Sequence, residues 1–198
     1  MKSLTLKYLI IIFAVIFWGS SFIATKVALK ELSPETIISL RLIIASLFLF
    51  VAAIVYKNDF SINLKSHGII FILALIAVFH LMIQVIGLKY TTASNTGWII
   101  GTAPIFMAIL AAIFFREKIG FLKISGIIIA MFGLLLLIGK GNITNVDLIE
   151  NKGDLLVLAS AFTWGVYSMV NKKISLSYSP LMTILYLFVM MADRKSVV

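Results

Sequence analysis

The sequence predicts an all-α fold, a polytopic membrane helix bundle, and three observations carry that reading. The chain of 198 residues is 62% hydrophobic and only 13% charged, about half the roughly 25% charged share of a soluble domain. Six apolar runs, at 8–29, 35–56, 68–88, 94–115, 119–139 and 153–171, each approach the ~20 residues needed to cross a bilayer as helix. Trp18-Gly19 and Ser33-Pro34 recur as Trp164-Gly165 and Ser179-Pro180, displaced by the same 146 positions. Internal repetition of this kind is a common ground plan of secondary transporters.

The elements follow in order. Lys2 and Lys7 precede the first run as in a signal peptide. The run continues too far, and no small-residue cleavage site stands out, so it reads as an uncleaved first helix. Ser33-Pro34 separates it from the second run, which carries Arg41, and Asn58-Asp59 closes that run. The third run holds His80 at mid-length with Gln84 one turn later. The fourth holds Asn95, Gly97, Gly101 and Pro104. Gly97 and Gly101 form a small-xxx-small pair that permits close helix approach, and Pro104 removes a backbone hydrogen bond and favours a kink. Arg116-Glu117-Lys118 leads into the fifth run and Gly139-Lys140-Gly141-Asn142 follows it. The sixth opens at Gly153. A seventh run, 181–192, has twelve residues, about 18 Å of helix against a hydrocarbon core of about 30 Å. Asp193-Arg194-Lys195 follows at once, so 193–198 reads as a non-native tail on a truncated chain. The tail also resembles one reading frame of a sequencing adapter.

Charge sets the orientation. With the N-terminus inside, inner segments hold nine Lys and Arg and outer loops hold four; the positive-inside rule then favours a cytoplasmic N-terminus in the cell (inner) membrane. The net charge of +9 is scattered between spans and makes no patch for nucleic acid. With no cysteine, disulfides and thiolate-bound metals are excluded, and no metal or cofactor is expected. The expected partners are the lipid bilayer, a small-molecule substrate and a second copy of the chain.

A five-helix repeat has an odd number of crossings, so its second copy enters the membrane from the opposite side. The expected units are 1–139, one complete repeat, and 153–192, part of an inverted second. In the first helix Trp18, Ser21, Phe22 and Thr25 share a face; at the same offset Trp164, Tyr167, Ser168 and Asn171 share one in the sixth. Ser160 and Thr163 extend the second stripe. Polar side chains in a membrane helix face protein or water, although small polar residues also serve plain helix packing.

The run F-W-G-S-S-F-I-A-T-K-V-A-L-K-E-L-S-P with L-R-L-I-I-A after it, L-K-Y-T-T-A-S-N-T-G-W-I-I-G-T-A-P-I-F at 88–106, F-F-R-E-K-I at 114–119 and G-D-L-L-V-L-A-S-A-F-T-W-G-V-Y at 153–167 resemble the EamA family of the drug/metabolite transporter superfamily. The resemblance implies about ten helices in two repeats and carriage of small metabolites, often export.

The expected function is therefore a secondary transporter (permease or exporter) of small metabolites such as amino acids or drugs, working by alternating access. The substrate-cavity candidates are Trp18, Ser21, Thr25, His80, Gln84, Asn95, Trp164, Tyr167, Ser168 and Asn171. Histidine titrates near neutrality and suits substrate binding or proton relay. Lys26 and Arg41 are candidates for a cationic outer vestibule, or snorkel to the headgroups. The aromatic residues suit a flat substrate and equally suit lipid or core contact. The competing readings are an inert truncated fragment and a membrane-embedded enzyme. The second would need paired acids or a His/Glu cluster in the membrane, and every acid falls in a loop or at a helix end.

Overall fold

The computed structural model describes residues 2–56, 64–115, 120–138, 151–174 and 180–192. These form eight helices: α1 (Lys2–Ala28), α2 (Pro34–Val55), α3 (Leu64–Tyr90), α4 (Ala93–Ile100), α5 (Ala103–Phe115), α6 (Phe121–Ile138), α7 (Lys152–Ile174) and α8 (Pro180–Ala192). Among the described residues there is no strand. Five stretches are long and apolar enough to cross a membrane: Leu6–Ala28, Pro34–Val55, Gly68–Tyr90, Ala93–Phe115 and Lys152–Lys172. The expected fifth span is α6, 18 residues, roughly 27 Å; its shorter apolar core is Ile124–Gly133. The tail 193–198 and most of the 139–152 connection lie outside the described residues.

Helix starts follow local chemistry. The Ser33 hydroxyl accepts from the Thr36 N–H at 3.3 Å, and Pro34 opens α2. A proline at the first helical position gives up an N–H that has no intrahelical partner anyway. Pro180 opens α8 in the same way. The repeated Ser-Pro pair is thus a helix-start signal, with Ser179 outside the described residues. Thr92 caps α4 through the Asn95 N–H at 3.0 Å. Asn151 caps α7, its Oδ1 accepting from the N–H groups of Gly153 at 2.7 Å and Asp154 at 3.1 Å.

The expected fourth span is two helices, with the break at Gly101–Thr102 rather than a kink at Pro104. Without an N–H, Pro104 cannot continue the ladder to the carbonyl four residues back. The chain tightens instead: Thr102 N–H donates to Ile99 O at 3.0 Å and Ile105 N–H to Thr102 O at 2.9 Å. The Thr102 hydroxyl adds a bond to the same Ile99 carbonyl at 2.6 Å. These are the shorter-range bonds of a 3₁₀ turn.

Among the described residues the α3–α7 pair makes the most extensive contact. Gly87 lies against Gly153, and His80 against Ser160. Numbering falls along one helix as it rises along the other, so α3 and α7 are antiparallel. Lys26, near the end of α1, reaches the carbonyls of Leu88 and Lys89 near the end of α3. α1 and α3 therefore end on the same side, where α7 begins, and α1 and α7 run in opposite senses. Around this frame α8 packs on α2 and α3, while α4 and α5 pack on α7. One apolar cluster joins Ile38, Leu42, Leu73, Ala77, Leu187 and Met191; another joins Phe22, Ile99, Ile100, Ala103, Val157 and Ala161. The outer faces carry exposed Phe, Ile and Leu, such as Phe17, Phe48 and Ile129. On a chain that spans a membrane these face hydrocarbon.

The close approach occurs at a different glycine pair from the one the sequence suggested. A Cβ on Gly97 would meet nothing within 4 Å, and one on Gly101 would meet only carbonyls of its own segment. A Cβ on Gly87 would lie 2.9 Å from Gly153 O, and one on Gly153 would lie 2.6 Å from Gly87 O. Gly165 similarly admits Leu110 of α5, whose Cδ1 would lie 2.9 Å from an added Cβ, whereas Gly19 has open space. The repeated Trp-Gly pair thus serves two different packings.

Gly153→Ala is expected to lower stability by about 1–3 kcal/mol, because backbone carbonyls cannot move aside as a side chain can. Gly68→Ala, where a Cβ meets nothing within 4 Å, is expected to be neutral or slightly stabilising. Thermal unfolding of the detergent-purified chain separates the two. Equal melting temperatures for both variants would contradict the assigned contact.

Candidate functional site

A cavity of about 350 Å³ lies between α1, α2, α3, α4, α7 and α8. That volume is at the small end of the roughly 300–1,000 Å³ typical of small-molecule sites. Its polar and aromatic lining comes from Trp18, Arg41, His80, Gln84, Trp164 and Tyr167. Counting from helix ends on the shared side at 1.5 Å per residue gives depths. Gln84 and Arg41 lie about 9–11 Å in, Trp18 and His80 about 15 Å, and Trp164 about 18 Å. The cavity therefore sits well inside the helix ends, with its two long polar side chains, Arg41 and Gln84, nearer one end.

His80 is 5% exposed. Its Nδ1 lies 2.9 Å from the Ser160 carbonyl and 3.3 Å from the Thr163 hydroxyl. That hydroxyl itself donates to the Ser160 carbonyl at 2.9 Å. A carbonyl only accepts, so Nδ1 must carry the proton. In the neutral ring Nε2 is then an acceptor, a tautomer fixed by the neighbouring helix. Trp164 lies against the imidazole with ring centroids 5.2 Å apart, and Tyr167 stacks on Trp164 at 5.0 Å and 19°. Three aromatic rings thus form a continuous wall along α3 and α7.

The sequence candidates divide. Trp18, Arg41, His80, Gln84, Trp164 and Tyr167 meet at the cavity. Ser21, Thr25, Asn95, Ser168 and Asn171 do not line it. The Ser21 hydroxyl donates to Trp18 O at 2.6 Å and the Ser168 hydroxyl to Trp164 O at 2.8 Å. Both stripes therefore contain hydroxyls that bond back to their own helix, a local alternative to facing a ligand. Thr25 is buried, and Asn95 and Asn171 are half-buried away from the cavity.

The two basic vestibule candidates also part. The Lys26 ammonium donates to Leu88 O at 2.8 Å and Lys89 O at 3.0 Å. It neutralises the negative end of the α3 dipole and satisfies terminal carbonyls. Arg41 instead lines the cavity. Beside Lys26 a second set of contacts fastens α3 to α7. Thr91 donates to Asp154, which is fully buried, and the Lys152 ammonium lies 3.9 Å from the Tyr90 ring centroid.

The residues sequence reading missed are apolar. Ile184, Leu187, Phe188 and Met191 of α8 close the cavity. Their spacing of three, four and seven is that of one helix face, which was visible in the sequence but carried no chemistry. A second cavity of about 600 Å³ lies between α1, α4 and α5, and Trp18, Ile100 and Trp164 line both. Among the described residues no group of three or more His, Cys, Asp or Glu could hold a metal.

The EamA-like transporter family model matches residues 5–139. An uncharacterized transporter of Archaeoglobus fulgidus is 33% identical over 177 residues, 88% of this chain and 60% of its own length. The uncharacterized transporter YoaV of Bacillus subtilis is 29% identical over 82% of this chain and 56% of its own length. For YyaM of the same organism the figures are 27%, 96% and 63%. The chain thus spans about 60% of the length of these curated relatives. No solved structure matches it.

Lys26→Met is expected to lower stability by about 1.5–3 kcal/mol, the range for hydrogen bonds made by a charged donor, and Lys26→Arg to retain most of it. Thermal unfolding of the purified variants checks this. A Lys26→Met chain as stable as wild type would contradict the capping role.

Proposed function

This chain belongs to the EamA-like transporter family, and we propose that it acts as a secondary transporter of small metabolites, such as amino acids or drugs, by alternating access. It is a multi-pass membrane protein whose relatives are named as transporters. The observation that carries the proposal is the mid-depth cavity walled by Trp18, His80, Trp164 and Tyr167. Its two tryptophans come from helices that run in opposite senses and hold matching places 146 residues apart. That is the arrangement an inverted repeat produces around a central substrate site. The units 1–139 and 153–192 are read as one repeat and part of its inverted partner.

In this reading the substrate displaces water from the cavity, its flat or apolar part resting on the aromatic wall. His80 Nε2 accepts one hydrogen bond from it and Gln84 supplies donor and acceptor. Rocking of α1 and α2 against α7 would open the cavity to one side and then the other, with the glycine contact of α3 and α7 as pivot. The proposed setting is the cell membrane with the N-terminus in the cytoplasm, following the distribution of Lys and Arg.

Trp164→Ala and His80→Ala are expected to reduce export at least about tenfold, the effect of losing roughly 1.4 kcal/mol of site interaction, with membrane abundance unchanged. Cells expressing the chain are loaded with a panel of amino acids and drugs and efflux is followed by mass spectrometry. Wild-type efflux in both variants, for a compound the parent chain exports, would remove the central site from this account.

A further inference from the structure

We propose that the cavity selects organic monoanions, a carboxylate attached to a flat or apolar body, and that Arg41 is the residue that binds the carboxylate. This deepens the transporter reading and rests on it. Arg41 is the one formally charged side chain lining the cavity among the described residues, and no carboxylate lines it. Among the described residues Arg41 makes no hydrogen bond or ion pair. The other cation of the two expected at the outer mouth, Lys26, is held by the α3 carbonyls.

Depth makes an unpaired guanidinium consequential. Arg41 lies seven residues into α2, about 10 Å along the helix, on a segment long and apolar enough to cross a membrane. A charged residue there is costly and normally marks a pairing partner or a substrate path. Guanidinium binds carboxylate through two parallel N–H···O bonds, and the exposed Arg41 side chain is accessible to make them. The rest of the lining sets the other half of the ligand. Among the described residues no carboxylate lines the cavity, so a ligand's positive charge finds no counter-charge there, and Leu42, Ala77, Leu187 and Phe188 offer apolar contact to the ligand's body. The Trp164–Tyr167 stack instead offers a planar face. Gln84, at the same depth as Arg41 from the shared side, can donate its amide N–H to the carboxylate's remaining lone pairs.

The test uses three probes of one shape, 3-phenylpropionate, 3-phenylpropionamide and 3-phenylpropylamine, with binding to the purified full chain in nanodiscs followed by isothermal titration calorimetry. The carboxylate is expected to bind at least about tenfold more tightly than amide or amine, the size of one charge-assisted pair. Arg41→Gln is expected to bring the carboxylate down to the amide's affinity while leaving the amide unchanged, and Arg41→Lys to keep part of the preference. A wild-type chain that binds the amine or amide as well as the carboxylate overturns the proposal, as does an Arg41→Gln chain that keeps the preference. If those probes still bind and Trp164→Ala abolishes their binding, the central site itself survives. Binding of none of the three by wild type overturns both. Should Arg41→Gln lose all binding, the wild-type carboxylate-to-amine ratio decides alone.

Discussion

The antiparallel contact of α3 with α7 is the constraint on which the rest of the structure depends. It exists because Gly87 and Gly153 lack side chains where each would strike the other's carbonyl. In a bilayer the hydrophobic effect does not draw helices together, because lipid tails are as apolar as leucine; close backbone packing and interhelical hydrogen bonds do so instead. Both are present here. The glycines set the spacing, and Thr91–Asp154 and His80–Ser160 fix the register. The second of these bonds also fixes the His80 tautomer, so one packing contact determines the chemistry of the cavity wall.

The surrounding helices take their positions from this pair. Lys26 ties the end of α1 to the end of α3, which brings Trp18 to the cavity from the third side. α8 lies across α2 and α3 and closes the fourth side with one apolar face. The two basic side chains illustrate how little position alone decides. Lys26 and Arg41 sit near the same mouth, yet one meets the carbonyls of a neighbouring helix end and the other opens onto the cavity. A strongly hydrated ammonium on a flexible stem suits capping, and a planar guanidinium suits a carboxylate.

Much of the fold was legible in the sequence because the bilayer imposes length and polarity on every crossing. The runs of about 20 apolar residues gave the helices, and the Ser-Pro pair marked the start of α2 through capping. Trp18 and Trp164, which hold matching places 146 residues apart, both line one cavity. The pairing of helices was not legible, because glycine lets backbones approach without saying which partner will come. Gly97 and Gly101 had the better motif, while Gly87 and Gly153 have the contact. The polar stripes were only half informative, since Ser21 and Ser168 bond back to their own helices. The break at Gly101 followed from Pro104 in kind but not in position, because the lost bond lies upstream of the proline.

The chain has no cysteine, so a pair introduced by mutation reports on this architecture without background. Thr91→Cys with Asp154→Cys places two thiols where the native side chains hydrogen-bond. Thr91→Cys with Asn171→Cys places them at opposite ends of α7. The antiparallel account predicts rapid disulfide formation in membranes for the first pair and none for the second. Cross-linking of the second pair, or failure of the first under mild oxidation, would contradict it.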